Sequence, residues 1–195
     1  MTFKQLVDRN RSYRRFREDR IVPEATLREL VELARHCPSG MNSQPLKYVL
    51  CCGAAINAKV FATVSWAGSL PEWDGPEPGE RPAGYIVVLT DKEIKPSTAL
   101  LDVGIASQTI LLGAVEKGLG GCMLGSMKTI PLARTLGLDD RYEISLVIAL
   151  GEPVETVVLE DAAPGASVKY YREPDGTHHV PKRTAEQIIV GVHTE

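Results

Sequence analysis

Residues 98–125 read TALLDVGIASQTILLGAVEKGLGGCMLG. From Ser97 or Thr98 to about Lys117 this is a helix, apolar nearly all round, with Asp102, Ser107 and Gln108 as its interruptions. A helix without a solvated face is buried, in a core or against a partner. The glycines that follow bracket GCMLG as a short strand. Outward from there the pattern alternates. Residues 2–9 form a short first helix with Thr2 as N-cap. Pro23 to His36 is a firmer one, because Leu27, Leu30, Val31 and Ala34 recur at helical spacing and Pro23 suits the first turn. LKYVLCC, YIVVLTD and YEISLVIALG read as strands, while AAINAKVF and PLARTLG read as short helices. The tail is basic at Lys182 and Arg183, then β-branched and apolar. The sum is a mixed α and β chain with four or five strands, no internal repeat and no linker, hence one domain over residues 1–195.

With a formal charge of −3 and 24% charged residues, the chain has ordinary globular composition and lacks the broad basic surface that general nucleic-acid binding needs. The N-terminus is polar, without the apolar core of a signal peptide, and apolar stretches fall short of a membrane span. Cys37, Cys51, Cys52 and Cys122 form no CxxC pair, and the histidines form no ligand set. Reduced thiols in a cytoplasmic protein without nucleic-acid, membrane or metal partners are expected.

Against that acidic background, Arg9 to Arg20 carries six arginines against Glu18 and Asp19, a net of +4. Within it, NRSYRRF (10–16) sets guanidinium forks beside a serine hydroxyl, a combination suited to phosphate. Ser12 and Phe16 interrupt the run, so part of it faces inward; the competing reading is a solvated charged turn. PSGMNSQP (38–45) breaks the helix before it. Pro38 and Gly40 open the backbone, and Ser39, Asn42 and Gln44 offer donors and acceptors that can read a ring edge. Residues 65–84 form a long irregular segment holding Trp66 and Trp73, and loops of that length in compact domains are functional or disordered. No Walker loop, no GxGxxG after a strand and no GxSxG is present. None of Ser12, Ser39, Ser65, Ser126 or Cys122 has a recognisable base. An enzyme built this way relies on a cofactor for its chemistry.

NRSYRRF (10–16), PSGMNSQPLKYVL (38–50), DVGIASQTILLGAVEKGLGGCMLG (102–125), VIALGEP (147–153) and HVPKRTAEQIIV (179–190) occur in that order, and together resemble the nitroreductase-like flavoproteins. No single motif is specific, but five in sequence over about residues 5–190 are. The resemblance implies an α+β fold with a central, mostly antiparallel sheet flanked by helices. It implies a domain-swapped homodimer with FMN at the subunit interface, the apolar helix from Thr98 in the dimer core and residues 176–195 extending onto the partner subunit. It implies that Arg11, Ser12, Arg14, Lys182 and Arg183 hold the FMN phosphate and ribityl chain. Pro38, Ser39, Asn42 and Gln44 would lie along the isoalloxazine, and Met123, Leu124 and Gly125 near its N5, with the Gly125 backbone N–H as the donor. Arg15 and Arg17 would then be solvated, and Asp102 and Gln108 paired structural groups. Residues 65–84 would be the lid, with Trp66 and Trp73 stacking on a flat substrate or anchoring the loop. The implied activity is ping-pong transfer of two electrons from NADH or NADPH to a small-molecule acceptor such as a nitroaromatic or quinone, with no catalytic side chain beyond the flavin. The alternatives are a flavin-dependent reductive dehalogenase, a branch that consumes its flavin to build a cobalamin ligand, and a non-enzymatic flavin-binding sensor. The sequence departs from the family pattern at Asn10, where many relatives carry arginine.

Overall fold

Strand β2 (Gly84–Asp91) is buried along its whole length, as the unbroken apolar run YIVVL requires of a strand covered on both faces. It lies inside a sheet of order β1-β2-β4-β3, with β1 at Leu46–Cys51, β3 at Gly120–Leu124 and β4 at Tyr142–Gly151. All three pairings are antiparallel, and a bulge interrupts the β2–β4 register between Val88 and Leu89. This computed structural model describes residues 1–94 and 96–194; Lys95, and Glu195 at the end of the expected extension, lie outside them. The chain divides into two compact units, Met1–Trp66 with Asp74–Val154 and Ala67–Trp73 with Glu155–Glu195. No change of composition marks either boundary.

In the first unit, α1 (Phe3–Arg9) is capped by Thr2 through a reciprocal pair of bonds with Gln5, and α2 (Glu24–Ala34) starts after Pro23. Leu27 and Leu30 of α2 meet Val103, Ala106 and Ile110 of α4 (Ala99–Glu116) over Ile86, Val88, Ile148 and Leu150 of the sheet. The alternate residues Tyr85, Val87 and Leu89 are buried too, toward the side where α3 (Ala54–Phe61) contacts β2 and α5 (Thr129–Leu136). Gly118, in the left-handed region, ends α4 and turns the chain into β3.

Within the chain α4 is buried on one side only. Leu100 and Leu101 are 76% and 67% exposed, and Ile105 is exposed beside them. Its 18 residues have the length and apolarity of a membrane span, with mean hydropathy 1.4, yet over half of it packs inside the unit.

Where β2 ends and β4 begins, Arg141 donates from Nε and Nη2 to Asp91 at 2.8 and 2.6 Å. The Arg141 bonds hold the Asp91 carboxyl below the usual carboxylate range against the opposing effect of burial, helped by the Glu93 N–H. A depressed carboxylate contributes stability that is present above its unfolded pKa of about 4 and lost as pH falls through the folded value. Asp91→Asn is therefore expected to lower the melting temperature at pH 7, with the gap to the parent closing as melts are repeated below pH 4.

The second unit holds three strands that the sequence pattern did not reveal: β5 (Val157–Asp161), β6 (Tyr171–Arg172) and β7 (His178–Lys182), in the order β5-β7-β6. β7 runs parallel to β5 and antiparallel to β6, so residues 178–182, expected to reach a partner subunit, pair inside their own chain. Pro181 fits in β7 because β6 pairs only with His178 and His179. IIVGV forms no strand; α6 is a single turn, Ala185–Ile188, after which Ile189, Val190 and Val192 are exposed.

Candidate functional site

The basic island is laid against β3 by backbone contacts. Ser12 forms a parallel bridge to Gly121, and the Tyr13 N–H donates to the Gly121 carbonyl at 3.0 Å. The two glycines make this possible. A Cβ on Gly120 would stand 2.4 Å from the Tyr13 ring, and one on Gly121 2.5 Å from the Ala149 carbonyl. Farther along, Phe16 is fully buried and bridges Pro153.

This packing sorts the arginines. Arg15 donates a bidentate fork to Glu80, both bonds 2.6 Å, and is half-buried. Arg17 pairs with Asp19 and Glu152, and Arg20 also faces Glu152. Arg15 and Arg17 are thus not simply solvated; carboxylates from distant segments engage them. Arg14 is buried, with Nη1 on the Ser12 carbonyl at 3.3 Å. Arg11 donates Nη2 to the Val7 carbonyl at 2.7 Å, while its Nε is buried without a hydrogen-bond partner. Ser12, the next residue in the chain, is exposed, and guanidinium and hydroxyl donors are the kinds of group that an oxyanion satisfies.

The loop after α2 is fastened to the start of α4. The Gly40 N–H donates to Asp102 Oδ1 at 3.0 Å, and the Gln44 N–H donates to Ser39 Oγ at 3.1 Å. Met41, Asn42 and Gln44 have φ of 52°, 53° and 49°. Three non-glycine residues in the left-handed region are costly, and such strain clusters at functional sites. Pro38, Met41, Asn42 and Gln44 are exposed and Ser39 half-buried. Gln44 Nε2 donates to Asn42 Oδ1 at 3.2 Å, which leaves the Asn42 amide nitrogen for a ligand. Beneath the loop is a cavity of about 160 Å³ bordered by Ser39, Tyr48 and Asp102. Burial, with Cys37 nearby, pushes the Tyr48 phenol up to about 12, so it stays protonated. Asp102 was expected to be a paired structural group, and only Oδ1 is; Oδ2 is buried without a partner. Gln108 is exposed.

Gly40 has no room for a side chain: a Cβ would stand 2.2 Å from Thr98 Oγ1 and 3.0 Å from Thr98 Cβ. Gly40→Ala is expected to cost about 1–3 kcal/mol by overpacking. Thr98→Ala in the same chain should recover part of that in a thermal melt, since it removes the nearer atom.

At the far end of β3, Leu124 is buried and Gly125 exposed, and nothing lies within 4 Å of where a Gly125 Cβ would be. Bonds from Ser65 N–H to the Ser126 carbonyl and Lys128 N–H to the Thr63 carbonyl, 2.9 and 2.7 Å, hold the segment just past it. Trp66 is buried, its ring 5.9 Å from that of Phe61 and packed over Gly75; this is the anchoring role. In the second unit, the Arg172 guanidinium lies 4.5 Å over the Trp73 ring and donates to Glu155 at 3.1 Å. The Ser69 N–H bonds the Tyr170 hydroxyl. The segment read as a lid is therefore fastened along its length within each unit. Lys182 and Arg183 are exposed at the end of β7.

The model of the Nitroreductase family matches residues 7–152. Among solved structures, a nitroreductase family protein from Streptococcus pneumoniae has TM-score 0.67 at 19% identity, over 98% of this chain and 100% of that one. A nitroreductase-like protein from Exiguobacterium sibiricum, solved with FMN, has TM-score 0.67 at 17% identity over 79% and 89%. An iodotyrosine deiodinase bound to FMN and 3-iodo-L-tyrosine has TM-score 0.64 at 19% identity over 78% and 90%. At these identities the likeness is one of fold.

Proposed function

The chain belongs to the nitroreductase family, and on that premise we propose that it is an FMN-dependent oxidoreductase. The observation that carries the reading is β3 and what flanks it. Gly121 holds Ser12 and its neighbouring arginines at one end, and Gly125 leaves an open backbone at the other. Four residue steps of extended chain lead from one to the other, roughly 13 Å. The donor set fits FMN: the Arg11 Nε without a partner and the exposed Ser12 hydroxyl suit a phosphate, and the Gly125 N–H suits a ring nitrogen. When bound, FMN would supply exchange of a hydride between NADH or NADPH and an electron-poor acceptor such as a nitroaromatic or quinone, one after the other.

The chain's own residues then have positioning roles. Asp102 fixes Gly40, and Gln44 orients the Asn42 amide, so that the strained loop presents a set donor to a ring edge. A homodimer accounts for the exposed apolar face of α4, since contiguous patches of that kind mark interaction surfaces.

The test is to load the purified chain with FMN and reduce it anaerobically with NADH and with NADPH. Menadione, a nitroaromatic and 3-iodotyrosine are then offered in turn. Bleaching by a nicotinamide followed by reoxidation by the first two supports the reading, and reoxidation by 3-iodotyrosine alone transfers it to dehalogenation. A chain that stays colourless after incubation with FMN overturns it. Sedimentation of the loaded protein at twice 21.3 kDa checks the dimer.

A further inference from the structure

The cavity of about 160 Å³ beneath the strained loop has chemistry of its own. Leu46 and Tyr48 alternate onto one face of β1 and pack against the cluster that contains Ala34 of α2 and Ala106 of α4; all four border the space. Lys47, between them, is paired with Leu89 and so falls on the opposite face. There it adds to the effect of Arg141 in holding the Asp91 carboxyl down. The cavity therefore has an apolar bed on the α2 and α4 side of the sheet, with no lysine in it. A cavity of about 150 Å³ is enough for one benzene ring, and the three fused rings of a flavin need more.

The polar groups on the border are donors. Tyr48 is half-buried, and its oxygen is not among the enclosed polar atoms, so it keeps accessible surface. Among the described residues nothing accepts its O–H, and the phenol stays protonated for the reason given above. Ser39 Oγ accepts from the Gln44 N–H at 3.1 Å and keeps its own proton to give. The other polar neighbours are spent. Cys37 Sγ donates to Thr109 Oγ1 at 3.1 Å, and the Arg35 guanidinium forks onto Glu32 at 2.7 and 2.5 Å. Asp102 decides the charge of an occupant. Its carboxylate lies on the same wall, and among the described residues no cation pairs with it, so an anion is repelled.

We propose that this cavity is a binding site for a small neutral single-ring carbonyl compound, distinct from the flavin. The ring lies on the bed of Leu46, Ala34 and Ala106, and the Tyr48 O–H donates to the carbonyl oxygen. Ser39 offers a second donor from the loop.

The experiment titrates the full-length chain with acetophenone, ethylbenzene and benzoate, following the methyl signals of Leu46 and Ala106 by NMR. Acetophenone is expected to shift them saturably. Ethylbenzene keeps the ring and lacks the oxygen, so it should bind about two- to tenfold more weakly, the effect of one hydrogen bond between neutral groups. Benzoate should not bind. Tyr48→Phe keeps the aromatic wall and removes a hydroxyl that holds nothing in the protein, so it is expected to fold. It should bind ethylbenzene like the parent and lose the preference for acetophenone. Absence of a saturable acetophenone shift overturns the proposal. So does a preference for acetophenone that survives in Tyr48→Phe, benzoate binding as tightly as acetophenone, or a soaked crystal in which side chains of a second copy fill the cavity. The readout uses no flavin signal, so this proposal and the flavin reading fail separately.

Discussion

Alanine at position 16 is expected to cost about 3–5 kcal/mol, the usual range for deleting a fully buried phenyl ring, and to lower the melting temperature by roughly 6–20 °C. Phe16 is fully buried in the middle of the basic island, and its side chain fills the space above Gly151, where a Cβ would stand 2.9 Å from the Phe16 Cβ and 3.0 Å from its ring. Its N–H donates to the Glu80 carbonyl at 2.9 Å, and its neighbour Arg15 forks onto the Glu80 side chain. The phenyl is thus the peg that seats a charged segment on the sheet. Loss of stability without loss of the fold is the expected result, read by thermal melts and by near-UV circular dichroism. A melting temperature within about a degree of the parent would show that the island is held by its ion pairs instead.

The second large effect concerns the anion. Arg11→Ala is expected to raise the FMN dissociation constant roughly 10- to 150-fold, the equivalent of about 1.5–3 kcal/mol for a bond to a charged group. In flavin-free protein the same variant gives up only one bond, to the Val7 carbonyl, so its melting temperature should move little. Arg11→Lys keeps the charge and loses the fork, and should fall between the two. Arg15→Ala is the control. It breaks the Glu80 pair and is expected to leave FMN affinity unchanged, because that guanidinium is already occupied. Flavin fluorescence titration measures all three. Equal affinities in Arg11→Ala and the parent would remove the island from the cofactor site.

The helices and strands of the first unit were legible because each carries its signal locally. Thr2 caps α1, Leu27 and Leu30 recur on α2, and YIVVL has no polar face to expose. The second unit was not legible. Its strands are two to five residues long, β6 is only a pair, and His178 and His179 take their places by packing against Tyr170 and Tyr171. Strands so short, stabilised across the sheet, leave no period in the chain. The same limit applied to α4. Its composition announced burial, but composition cannot say which side faces its own sheet and which side is left open, as Leu100 and Leu101 are.

For the candidate site, the sequence alone determined the inventory: arginines with a serine near the start, a glycine-opened polar loop, and a glycine-rich strand after a buried helix. Only the tertiary structure decided how that inventory is divided. Glu80 and Glu152, more than sixty and more than a hundred residues away in the chain, take Arg15, Arg17 and Arg20. Asp102 claims Gly40. The reason is physical. Propensity, capping and periodicity act over a few residues, so they can be read along the chain. Whether a charged or polar group is satisfied depends on what folding brings within about 3 Å of it, and that distance does not exist until the chain has folded.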